Sequence, residues 1–213
     1  MLKSMKRARG QTAMKFRHPG RGGYREGAGR PRKPGAGVPH RARAPLKSRY
    51  PVHVTVRVRD ELANLRSRAC FRAIARALAA GRDRFGFRLV HFSVQANHLH
   101  LVAEADDETA LARGMQGLGV RIARALNRVL ARRGKVFADR YHAHVLRSPR
   151  EVANAVAYVL GNAVVHAARR GERVHPDAID PMSSGWERQL VAPPRTWLLN
   201  WGWLRVRPAG GST

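Results

Sequence analysis

The sequence predicts an α+β domain, an antiparallel sheet with helices packed on it. Three observations carry this. A stretch near residue 50 alternates apolar and polar residues with the two-residue period of a half-buried strand. Two further strand-like runs are separated by only Gln95-Ala96-Asn97, which pairs them as a hairpin. Longer segments between and after them carry apolar residues at helical spacing. The order strand, helix, strand, strand, helix, strand, helix is close to a split βαβ, ferredoxin-like layout.

The elements follow in order. Val52, Val54, Val56 and Val58 alternate with His53, Thr55, Arg57 and Arg59, which gives the first strand. Asp60 is placed to cap a helix running to about Ala80, with Leu62, Leu65, Ala69, Ile74 and Leu78 on its inner face and Gly81 breaking it. Phe87 to Val94 is the second strand and His98 to Glu104 the third. Asp106 and Asp107 open a longer helix whose apolar face is Leu111, Met115, Leu118, Ile122, Leu126 and Val129; Gly134 ends it. Val136-Phe137 and Tyr141 to Leu146 make a fourth, irregular strand region. Pro149 stands near the start of a third helix, about Glu151 to Arg169.

Charge speaks of partners. The 213 residues hold 41 Lys and Arg against 14 Asp and Glu, a net +27. Such an excess points to nucleic acid, with an anionic membrane surface as the competitor. No run approaches the ~20 apolar residues of a spanning helix, and the basic N-terminus lacks the apolar stretch of a secretory signal. The expectation is a cytoplasmic, nucleoid-associated protein with no membrane partner. The single cysteine, Cys70, lies in an apolar helical pattern and reads as a small core residue. Residues 1–50 contain 15 of the basic residues and one acid, Glu26. With large apolar residues sparse, 1–49 reads as a disordered basic arm. Within it Gly29-Arg30-Pro31-Arg32-Lys33-Pro34 resembles the core of an AT-hook, in which Arg30, Arg32 and Lys33 enter a narrow minor groove; the alternative is phosphate contact without sequence choice. Arg113, Arg121, Arg124, Arg128 and Arg132 line the polar side of the second helix, either as a solvated face or as a phosphate-tracking one, the latter favoured by the global charge. Residues 170–213 read as an irregular Pro- and Trp-rich tail. Its tryptophans either pack back on the domain, the preferred reading, or stack on bases.

Two patterns carry chemistry. In a strand, His98 and His100 project from one face and Leu99 from the other. A pair of neutral imidazoles is half of a metal site, or simply two exposed histidines. On the third helix Val152, Val156 and Leu160 form one stripe, while Asn154, Tyr158, Asn162 and His166 form another nearly opposite. A carboxamide oxygen suits Mg²⁺ or Mn²⁺, and a phenol beside a bound cation is a plausible nucleophile. A plain polar stripe is the alternative.

His98-Leu99-His100 resembles the histidine–hydrophobic–histidine signature of the HUH single-strand endonucleases. Downstream, Met115-Gln116-Gly117-Leu118, Asn127, Gly134-Lys135-Val136-Phe137, Arg140-Tyr141 and Tyr158-Val159-Leu160-Gly161-Asn162 follow in an order similar to the single-tyrosine HUH transposases, and among them to the REP-associated tyrosine transposases. The resemblance spans about residues 51–186, with 50–169 as the HUH domain. It implies Tyr158 as nucleophile and His98, His100 and Asn162 as ligands of Mg²⁺ or Mn²⁺. It further implies cleavage and strand transfer on single-stranded, hairpin or palindromic DNA through a 5′-phosphotyrosine, by a monomer or a homodimer. Arg121, Arg124, Arg128 and Arg140 join Arg30, Arg32 and Lys33 as expected DNA contacts. Ala163 stands where the family often has proline, which touches the helix end and not the chemistry. The rival expectations are a catalytically silent, domesticated DNA-binding protein and another HUH nuclease such as a replication initiator or relaxase. A structural zinc protein is poorly served by one His-x-His and one distant cysteine.

Overall fold

The structure, a computed structural model, describes residues 45–169, 171, 175 and 178–206, with the backbone alone over 163–169. Arg30, Arg32, Lys33 and the side chain of His166 lie outside the described residues. The elements are β1 (Val52–Arg57), α1 (Arg68–Gly81), β2 (Asp83–Arg84), β3 (Phe87–Val94), β4 (His98–Ala105), α2 (Glu108–Val129), β5 (His142–Val145) and α3 (Pro149–Arg169). The sheet order is β2-β3-β4-β1-β5, with every pairing antiparallel. Without β2, the strands and their two crossover helices form the expected βαββαβ unit. The chain therefore has the predicted α+β fold.

The alternation in β1 sorts the molecule into three layers. Val52, Val54 and Val56 join Phe92, Leu99 and Leu101 in a core closed by α1 and α2. A second core lies on the other face of the sheet, where Val90 and Val102 meet Val152, Val156 and Val159 of α3. β3 and β4 are buried along almost their whole length because both of their faces are covered. Each fully buried Leu, Val or Phe contributes about 1.5–3 kcal/mol.

Several elements depart from the sequence reading. α1 begins at Arg68, not near Asp60. Ser67 is extended and its hydroxyl accepts from the Cys70 N–H. Residues 60–66 cannot join the helix because tertiary bonds claim them: the Leu65 N–H donates to the Ala96 carbonyl and the Arg66 guanidinium to that of Val94. Asp60 pairs with Arg57 in solvent, and Ala69 is exposed. α2 keeps its Asp107 cap, which accepts from the Ala110 N–H at 2.7 Å. It ends at Val129, which is exposed, so Gly134 lies beyond the helix rather than ending it. The short β2 was not foreseen. It turns into β3 over Phe85-Gly86, both at positive φ (52° and 78°), the twist a two-residue hairpin needs.

The segment after α3 is irregular yet firmly attached. Asp180, fully buried, accepts two bonds from Arg66. The Val94 N–H donates to Met182, the Ser184 N–H to Phe92 and the Ala192 N–H to Leu89. Glu104 accepts from the N–H groups of Arg195 and Thr196, which starts a helical segment formed by a π-turn at Leu198–Gly202 and a 3-10 turn at Trp203–Arg205. Of the four tryptophans, Trp203 packs, its Nε1 donating to Leu199. Trp186, Trp197 and Trp201 stay more than half exposed, contrary to the expectation that they fold back.

Candidate active site

Strand register assembles the site. Across β1 and β4, Thr55 lies opposite His100 and Arg57 opposite His98; across β1 and β5, Thr55 lies opposite His142 and His53 opposite His144. Residues directly opposite share a face. The face beneath α3 therefore carries His53, His98, His100, His142 and His144.

His100 is buried and His98 half-buried. Their Nε2 atoms face each other at 2.9 Å. The outer nitrogens are held: Nδ1 of His98 is 2.8 Å from Asn97 Oδ1, and Nδ1 of His100 is 3.3 Å from both His53 Nε2 and Thr55 Oγ1. In the tautomer that donates from Nδ1 to Asn97 Oδ1, His98 turns its Nε2 lone pair toward His100. Two imidazole nitrogens so close repel unless a proton or a cation lies between them. The His53 ring stacks on His100 at 5.4 Å. Burial above all, then the positive fields of His144 and His142, pushes its pKa down from 6.5 to about 4. At neutral pH it is an uncharged buttress.

α3 brings Tyr158 down on this pair. The Tyr158 ring stands edge-on to His100 at 4.9 Å and to His53 at 5.9 Å. Half of Tyr158 is open to solvent. Asn162, one turn further on the same helical face, is buried, and its Nδ2 has no hydrogen-bond partner among the described residues. A carboxamide exchanges its oxygen and nitrogen by a flip, so this amide can present a hard oxygen instead. Among the described residues no group of three or more His, Cys, Asp or Glu is disposed to hold a metal. Chemically, two imidazoles joined by a carboxamide oxygen would suit Mg²⁺ or Mn²⁺ better than structural zinc.

Not every expected contact gathers here. Arg121, Arg124 and Arg128 lie on α2, across the sheet from the histidine face, with Arg124 and Arg128 exposed. Arg140 is exposed before β5, on the rim of a cavity of about 420 Å³ floored by Val56, Leu99 and Leu101 on the α2 side. His53 and Thr55 escaped the sequence reading. Their signal was an alternating strand with polar residues on one face, but only the register shows that His100 lies opposite. His91 is on the α3 side too, with Nδ1 3.2 Å from Ser184 Oγ. Among the described residues no helix is long and apolar enough to cross a membrane.

No protein-family model and no curated protein sequence matches this chain. A solved structure does match: a REP-associated tyrosine transposase bound to a REP hairpin, 15% identical, covering 61% of this chain and 74% of that one, with a TM-score of 0.51. At that identity the likeness is one of fold, and it places the chain in a distant structural relationship to the REP-associated tyrosine transposases.

Proposed function

We propose that this chain cleaves and rejoins single-stranded DNA, of hairpin or palindromic form, as a tyrosine transposase of the HUH kind. The observation that carries the reading is the contact of the Tyr158 ring with His100. Residues some sixty positions apart meet at a polar spot under a helix, where packing alone would favour apolar side chains. The solved hairpin-bound transposase of the same fold adds support.

The half-exposed Tyr158 phenol is the nucleophile. Its Oη attacks the scissile phosphorus as the phenolic proton passes to solvent, the bond to the 3′ oxygen breaks, and that oxygen takes a proton from solvent and leaves as a 3′-hydroxyl. A 5′-phosphotyrosine remains, and attack by another 3′-hydroxyl reverses the step and joins strands. His98, His100 and Asn162 would hold a divalent cation, which when bound supplies charge neutralisation at the phosphate. His53 and Thr55 keep the His100 ring aimed. Arg121, Arg124, Arg128 and Arg140 contact the DNA backbone, and Arg30, Arg32 and Lys33 add further DNA contacts.

The test is an end-labelled hairpin oligonucleotide with Mn²⁺, read on a denaturing gel for protein-linked DNA. The wild-type chain gives an adduct that chelator abolishes. Tyr158→Phe gives none and binds the hairpin as before; His98→Ala and His100→Ala lower the yield at least a hundredfold. An adduct that persists in Tyr158→Phe rules out this nucleophile. Tight binding without any adduct from the wild type leaves a DNA-binding protein.

A further inference from the structure

We infer that the exposed face of the C-terminal helical segment is a stacking platform for unpaired bases of single-stranded DNA, separate from the His–Tyr site. Trp197, Trp201 and Leu204 are spaced by four and three residues, one helical face, and are 52%, 64% and 61% exposed. Leu198 and Leu199 on the inner face are buried, and so is Gly202 beneath the Trp197 ring. Solvent-facing tryptophans at helical spacing are costly to leave open and mark an interaction surface.

The platform is rigid before any partner arrives. Both oxygens of buried Glu104 clamp the amides that open the segment. The Trp197 ring lies flush on Gly202, where an added Cβ would come within 2.7 Å of Cζ3. Rings already held in place lose little freedom on binding.

Charge selects the occupant. The Arg205 guanidinium lies 5.8 Å from the Trp197 ring, and Arg195 is exposed at the other end of the segment. Of the neighbouring acids, Glu104 is spent on the amides and Asp83, though exposed, pairs with Arg88; Asp106 is exposed too. Aromatic faces rimmed by arginine suit bases joined by phosphates, since every base has a face to stack. Leu198, Leu199 and Trp203 pack in the core beneath α3, so the platform lies on the side of the sheet from which Tyr158 projects.

The experiment uses the full chain and its tryptophan fluorescence, titrated with oligo(dT), a blunt duplex, heparin and vesicles of anionic phospholipid. Oligo(dT) quenches the wild type. Trp201→Ala and Trp197→Ala each weaken oligo(dT) binding about tenfold, and heparin and duplex binding stay within twofold. Trp201→Phe, which keeps a π-face, recovers most of the affinity, and thermal melts of the variants match the wild type. The adduct assay on Tyr158→Phe is independent of this one, so either reading can fail alone. Equal oligo(dT) affinity in all variants overturns the platform. So does quenching by vesicles that the Trp201→Ala change removes, which assigns the face to a lipid surface.

Discussion

At the scale of single residues, the site couples burial to pH. His91 sits under the C-terminal segment against Ser184, and burial first, then the field of Arg188, pushes its pKa from 6.5 to about 4. Above pH 6.5 the ring is neutral in folded and unfolded chains alike, and the shift has no effect on stability. As pH falls below 6.5 the unfolded chain takes up the proton and the folded one does not, so folding stability is lost down to about pH 4. The loss is up to about 3 kcal/mol for one such histidine. His53, shifted the same way, acts in the same window. Urea midpoints of the wild type should therefore fall between pH 6.5 and 4.5, and His91→Gln should show a shallower fall. Identical pH profiles would remove His91 from this account.

Secondary-structure elements show where local preference and packing disagree. Gly114 and Gly119 both lie inside α2, where alanine is favoured over glycine by about 1 kcal/mol. At Gly114 a Cβ would stand 2.1 Å from Cγ of Phe87, a fully buried ring with no room to retreat. At Gly119 the nearest atom is Phe137 Cε2 at 3.6 Å, an ordinary contact. Gly114→Ala should cost about 1–3 kcal/mol in chemical denaturation, and Gly119→Ala should gain about 0.5–1 kcal/mol. The same contrast explains what the sequence made legible. The β1 alternation and the α2 stripe of Leu111, Met115, Leu118, Ile122 and Leu126 are repeated local signals, and their burial follows the pattern. The late start of α1 does not follow it, because Leu65 and Arg66 are held by groups about thirty residues or more away. In the site, His98, His100, Tyr158 and Asn162 were legible as types at given spacings. His53 and Thr55 became visible only through the register of β1 against β4.

At the scale of the whole molecule, the two sides of one sheet carry different chemistry. The histidines, Tyr158 and the segment that carries Trp197 and Trp201 share the α3 side, while Arg124 and Arg128 lie beyond the other face. The arm is shorter than its charge alone implies: Leu46 is buried in the α1–α2 core, and its N–H donates to Glu108. A cut meant to spare the domain falls before residue 45, not after 49. Residues 1–44 carry 13 Lys and Arg against Glu26, a net +12. Each phosphate they neutralise adds about 0.7 to the slope of log affinity against log salt for a single strand and about 0.9 for a duplex. With about half of those charges engaged, a 45–213 chain should lose roughly 4–6 from the slope on duplex DNA. It should bind far more weakly at low salt and still form the Tyr158 adduct once DNA is saturating. Fluorescence anisotropy across a salt series checks this, and a slope unchanged by the cut means that the arm does not touch DNA.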